Sequence, residues 1–305
     1  MASAINLNGL NTYVEQKSDE LLTKAIMGAK TLDVIDVMLD VKYKAPLNYL
    51  DSTVDFADAS TCGWNASGSD TFTQRTIEVS PVKVNKEWCA RDMRKYWMNY
   101  QLLIDANRET LPFEEKIVEE NLNAINKKLE TAIWQETSLF TGLLKLISTD
   151  ASNGVKTYDA SAGVDYNEVI DQAYQNITDD MYARGEIVMF VSPTVYRGYI
   201  SQLNAVCCSN REMIDAASDF ITYPGDSRVT IRPTFGLTGA KISGKDVYVV
   251  ATWAKNLVFG TDVENSENDF KVWYDDNSEM TRFKVLFNAG TQIKFPAEVI
   301  TIRKA

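Results

Sequence analysis

Between Leu111 and Phe140 the apolar positions Val118, Leu122, Ile125, Leu129 and Ala132 recur at alternating spacings of four and three, which places them on one stripe of a helix. Glu119, Asn123, Lys127 and Glu130 fall off that stripe. Pro112 suits a first helical turn, Glu114 and Glu115 suit the positive end of the helix dipole, and Gly142 suits a stop. The pattern predicts a helix over 111–140, about 45 Å long, a spine to which other layers attach. Trp134, Leu139 and Phe140 break the heptad register, which disfavours a coiled coil.

Elsewhere the period changes. Residues 12–28 predict an amphipathic helix with Leu21, Leu22, Ala25 and Ile26 on one side, and 32–38 an extended segment; together they read as an arm that docks elsewhere. Thr53–Asp58 and Phe72–Val79 alternate with period two around a Gly-, Ser- and Asn-rich tip at 62–70, the pattern of a long hairpin. Two strands alone are marginally stable in water. Phe56, Trp64, Phe72, Ile77 and Val79 therefore need a surface, which either the chain itself or a neighbouring copy supplies. After a polar connector at 148–163 the pattern is α/β. It predicts a helix at 165–183 (Val169, Ile170, Ala173, Ile177 and Met181 buried), a strand at Ile187–Val191, a helix at Val195–Leu203 and a strand at Val247–Ala251. Phe270–Tyr274, Arg282–Phe287 and Thr291–Phe295 then alternate around turns at 275–278 and 288–290, with Val299–Ile302 last, an antiparallel sheet beside the spine. The class is α+β.

Composition narrows the chemistry. The 305 residues are 45% hydrophobic, enough for one or two cores, and no apolar run approaches the roughly twenty residues of a membrane span, so a soluble protein is expected. The start lacks the continuous apolar run of a signal peptide. A net charge of −11 argues against a protein that grips nucleic acid by its phosphates. Cys62, Cys89, Cys207 and Cys208 lack C-x-x-C spacing and read as free thiols. The chain has no histidine, which removes the Ser-His-Asp triad, the Cys-His dyad and histidine metal sites together. Gly236, Gly239 and Gly244 form no dinucleotide fingerprint, and no Walker sequence occurs. Asp275-Asp276 reads as a solvated turn, and Glu114, Glu115, Glu119 and Glu120, lacking a Glu-x-x-His partner, as an exposed helix face. Lys83–Tyr100 interleaves basic and aromatic residues, as a base-stacking surface does, but Glu87 and Asp92 offset the charge and anchoring to a core is the preferred reading. No catalytic, cofactor-binding or metal-binding residue is assigned.

The order of parts resembles the Hong Kong 97-type fold: an arm, an extended hairpin, a spine helix, an inserted α/β unit and a return to long strands. Asn256–Asp262, Phe270–Asp275 and Phe283–Ile293, with their Gly-Thr-Asp and Ala-Gly-Thr-Gln-Ile phrases, are similar to the closing stretch of tailed-phage major capsid proteins. The resemblance covers nearly the whole chain by layout and about the last fifty residues by wording. It implies an N-terminal arm (1–45), an E-loop hairpin with its return (46–100), a peripheral domain (101–160 with 256–305) and an axial domain (161–255). It further implies a non-enzymatic coat protein that assembles through hexamers and pentamers into a head enclosing double-stranded DNA, with Phe56, Trp64, Phe72, Ile77 and Val79 as intersubunit contacts. The implied partners are further copies of the chain, a portal, a scaffold or decoration protein, and DNA in weak non-specific contact; no membrane and no cofactor is implied. The site of action would be the virion, assembled in the bacterial cytoplasm. Two family features find no match: a cleaved scaffold segment has no room before the arm, and no lysine–asparagine cross-linking pair is placed. An encapsulin-like nanocompartment shell is the alternative, and an α/β enzyme the remote third reading.

Overall fold

The computed structural model describes residues 21–56 (without 22 and 25), 68–89, 113–160, 165–205, 220–262 and 270–305 (without 276 and 279). Helix α1 (Phe113–Gln135) is the spine, 23 residues and about 34 Å. Its predicted stripe is buried throughout, from Val118 to Ala132. It stops earlier than the pattern predicts because Glu136 turns the chain: its Oε1 accepts the backbone N–H groups of Thr137, Ser138 and Leu139 at 3.1, 3.0 and 3.3 Å. These bonds, with one from the Ser138 hydroxyl, hold the Glu136 carboxyl down at about 2. Gly142 is no helix stop; it donates to the Glu136 carbonyl at 2.8 Å and precedes helix α2 (Leu143–Thr149).

Glu130 departs from its predicted exposed position. It is buried, accepts the Thr31 N–H at 3.0 Å and is bonded by the Thr31 hydroxyl, which in turn accepts from Trp134 Nε1 at 3.0 Å. This latch seats the N-terminal segment on the chain's own spine. Leu21, Ile26, Ala29, Leu32 and Ile35 share a core with α1, and the predicted extended stretch becomes a 3-10 turn (Lys30–Asp33) followed by strand β1 (Asp36–Met38). Burial pushes the Glu130 carboxyl above its ordinary value of 4.5. The folded chain holds that proton more tightly than the unfolded one, so the stabilising contribution is complete below the unfolded pKa and is lost as pH rises through the raised folded value. Glu130→Gln is expected to flatten the fall of Tm with pH across that interval; a slope equal to the wild type would show that the carboxyl does not titrate there.

The first sheet is built on β13 (Met280–Ile293), a 14-residue strand. It pairs antiparallel with β12 (Phe270–Asp275) over its first half and with β11 (Leu257–Asp262) over its second, while β4 (Ser80–Cys89) runs along its other edge. β1 joins β11 in parallel. The predicted turn at 288–290 is absent: Asn288, Ala289 and Gly290 stay in register with Asp262, Thr261 and Gly260. The turn at 275–278 is present, closed by the Asn277 N–H and Ser278 hydroxyl on the Asp275 carboxylate. Lys83 and Lys86 lie on strand β4; residues 90–100 lie outside the described residues.

The second sheet has the order β5–β14–β10–β6–β8–β7, with β9 (Lys241–Ile242) hairpinned onto β10 (Lys245–Trp253). Its other strands are β5 (Lys156–Asp159), β6 (Ile187–Val191), β7 (Ile221–Tyr223), β8 (Asp226–Pro233) and β14 (Ile300–Arg303). Every residue of β6 is buried, as its unbroken apolar run predicts. The predicted 165–183 helix is two, α3 (Tyr166–Gln175) and α4 (Asp179–Arg184); the Asn176 side chain bonds back to the Gln172 carbonyl and ends the first. Helix α5 (Pro193–Ala205) follows β6 directly. β5, inside the predicted connector, and β14, in the predicted peripheral segment, both belong to this sheet, so its chain segments extend beyond 161–255.

Candidate assembly surface

A two-stranded ribbon, β2 (Lys44–Thr53) with β3 (Ser69–Glu78), leaves the body of the protein. Its ten pairs run from Lys44 opposite Glu78 to Thr53 opposite Ser69. The first strand lies earlier than the predicted Thr53–Asp58, because Pro46 hides the alternation of Ala45, Leu47 and Tyr49. Pro46 is tolerated because each strand of a two-stranded ribbon has a free edge. Val54 to Phe56 follow the strand's end.

The two faces differ. At the root, Leu47 and Ile77 turn inward and pack with Val41, Val79 and Val258. Arg75 on the same face reaches the buried Asp150 at 2.6 Å, and Asn153 bonds that carboxylate at 2.8 Å. Gln292 of β13 donates to the Thr76 carbonyl at 2.7 Å. The opposite face carries Lys44, Pro46, Asn48, Gln74, Thr76 and Glu78, and is polar until Leu50 meets Phe72. Leu50 is 54% and Phe72 81% exposed, and Val54 and Phe56 beyond them are also bare. The outer end is nonetheless ordered by hydrogen bonds, Ser52 to Asp70 at 2.6 Å and Thr53 to the Ser69 carbonyl at 3.0 Å. Among the described residues the other exposed large apolar side chains away from the ribbon, such as Leu139, Phe235 and Trp273, sit on separate elements.

Of the five residues predicted as intersubunit contacts, the structure exposes Phe56 and Phe72. Ile77 and Val79 are buried within their own chain, at 0% and 2% exposure, because the ribbon root packs on Val41 and on Val258 of β11. Trp64 lies outside the described residues. Leu50 and Val54, on or just past a strand the alternation did not disclose, complete the exposed set.

A second feature faces outward between α1 and β4. It is an apolar groove of about 260 Å³ lined by Val82, Val84, Ile125, Leu129, Leu139 and Phe140. Lys86, Lys128 and Glu136 lie at its margin. Such a groove accepts apolar side chains and offers almost no polar group to orient a small molecule. The buried acids are bound to protein groups: Glu298 takes Arg184 Nε at 2.6 Å and Trp253 Nε1 at 2.6 Å, and Asp150 takes Arg75. Among the described residues no three His, Cys, Asp or Glu side chains converge as a metal site would, and no helix is long and apolar enough to cross a membrane.

Neither a family model nor a curated relative matches the sequence. Solved structures do resemble the fold. The satellite phage P4 procapsid with its size determination (Sid) protein superposes at TM-score 0.61 and 11% identity, over 100% of this chain and 92% of that one. The capsid of an empty GTA particle gives 0.58 at 11% identity, over 92% and 90%. A virus-like particle from Pyrococcus furiosus gives 0.52 at 11% identity, over 94% and 98%. At such identities the likeness is one of architecture: the chain has the Hong Kong 97-type capsid fold.

Proposed function

We propose that the chain is a coat subunit that assembles with copies of itself, through hexamers and pentamers, into the icosahedral head of a tailed phage around double-stranded DNA. It acts by assembly, without catalysis or a cofactor. The observation that carries this reading is the ordered ribbon whose outer end presents Leu50, Val54, Phe56 and Phe72 to solvent. Contiguous exposed apolar groups of this kind mark an interaction site. The groove between α1 and β4 is the complementary surface, and in a closed shell each subunit gives one ribbon end and receives one. An acidic chain suits a lining that must release as well as hold a polyanion, so contact with DNA is weak and salt-sensitive. A portal and a scaffold or decoration protein complete the particle, which forms in the bacterial cytoplasm and ends in the virion.

Likeness to the virus-like particle from Pyrococcus furiosus favours a second reading, a nanocompartment shell around protein cargo. Electron microscopy and nuclease-protected nucleic acid content separate the two. Expression of the full chain, alone and with its neighbouring genes, is expected to yield closed shells or capsomer rings. Particles from infected or induced cells should contain protected DNA. Protein-filled shells without DNA would select the nanocompartment, and a persistent monomer under every condition would overturn assembly.

A further inference from the structure

Phe295 lies in the short link between β13 of the first sheet and β14 of the second, and three parts of the molecule meet on its ring. The Tyr49 ring of the ribbon packs at 5.0 Å and 51°. The Arg184 guanidinium, at the end of α4, sits 4.1 Å from the ring centroid, and Trp253 of β10 lies at 6.2 Å. Arg184 and Trp253 are joined through Glu298, which bonds both. The backbone of Phe295 is held from both sides by the buried Asn256, whose Oδ1 accepts its N–H at 2.7 Å and whose Nδ2 donates to its carbonyl at 3.0 Å. The ring is thus fixed in place where the ribbon, α4 and β10 meet.

The ribbon's seat on this ring carries a built-in cost. Among the described residues the buried Tyr49 hydroxyl has no hydrogen-bond partner, and burial pushes its pKa up to about 12. An unpaired buried hydroxyl favours any shift of the ribbon that lets water reach it. Nearby, Lys294 bonds Asp36 at 2.6 Å, tying the same link to β1 just before the ribbon begins.

We propose that Phe295 couples the ribbon to the second sheet, so that the seating of Tyr49 and the packing of Arg184, Glu298 and Trp253 are energetically linked within one subunit. Taken with the assembly reading above, a neighbour drawing on the ribbon end would be felt at α4 and β10; the coupling itself requires no partner and is tested in the unassembled subunit.

Hydrogen exchange of the full chain, held unassembled at low concentration, reads it. Arg184→Lys keeps a cation for Glu298 but loses the flat guanidinium over the ring. It is expected to speed exchange in β2 and β3 by about threefold or more, and Tyr49→Leu to speed exchange in α4 likewise. The effects of the pair should fall short of their product. Tyr49→Phe, which keeps the ring and removes the orphan hydroxyl, should slow ribbon exchange and, with Arg184→Lys added, retain the cross-effect. In a Phe295→Leu background the cross-effects should vanish. Effects confined to the substituted element, or cross-effects that survive Phe295→Leu, would overturn the coupling. Should Arg184→Lys fail to fold, the Tyr49→Leu and Tyr49→Phe pair read at α4 decides the same question.

Discussion

Gly290→Ala is expected to destabilise the subunit by about 3 kcal/mol, at the upper end of what overpacking costs. A Cβ at this position would press on the Glu78 carbonyl, with the Glu78 carbon at 2.9 Å and Val79 Cα at 3.0 Å. These are backbone atoms, so no rotamer change relieves the clash. The ribbon root would have to lift from β13, exposing Ile77 and Val79 and straining the Gln292 bond to Thr76. Gly260, one strand away, supplies the control. There an added Cβ meets side chains instead of backbone, the Ile77 Cδ1 at 2.9 Å and the Val79 Cγ1 at 3.1 Å, and Gly260→Ala should cost about 1 kcal/mol, the low end of that range. Urea unfolding of the three proteins measures both. Equal stability of the two variants would mean that the ribbon root does not rest on β13 as described.

The same glycine shows where the sequence misleads. Asn288-Ala-Gly290 has the composition of a turn, and turn residues are read by local chemistry. Here the glycine answers to a strand more than two hundred residues earlier in the chain, which no local pattern discloses. Glu130 fails similarly: its helix position was read from periodicity, but its partner Thr31 arrives from the N-terminal segment. By contrast, the stripe from Val118 to Ala132 and the unbroken run of β6 were legible because one element's periodicity determines them. Sheet membership is again non-local. β14 looks like any closing strand, and only its pairing with β10 and β5 places it in the second sheet. For the candidate surface, alternation pointed to a hairpin, though with its first strand too late, and to Phe56 and Phe72, which the structure leaves exposed. It could not tell that Ile77 and Val79, with equal claim by pattern, are covered by Val41 and Val258 at the ribbon root. Pro46 hid the strand that carries Leu50.

The combined substitution Leu50→Ser and Phe72→Ser is expected to leave the subunit folded and to abolish closed shells. The two residues face each other across the ribbon, and both are mostly exposed in the single chain. Surface changes of this kind usually alter stability by about 0.5 kcal/mol or less each. Ser52–Asp70 and Thr53–Ser69 still close the outer end of the ribbon, so its backbone survives. In an assembly the balance reverses. Burying two large apolar side chains against a neighbour contributes about 4 kcal/mol per contact, roughly a thousandfold in the contact equilibrium. Under the proposed reading each subunit of a shell would both give and receive this contact, so the loss would recur around the whole particle. Leu139→Asp, on the lip of the groove and itself 53% exposed, tests the receiving side by the same reasoning. Sedimentation of assembled material beside thermal unfolding of the soluble subunit measures the two effects separately. Normal shells from the Leu50 and Phe72 variant would remove the ribbon end from the interface. Normal shells from Leu139→Asp alone would leave the ribbon in place but assign its neighbour's seat to a surface other than the groove between α1 and β4.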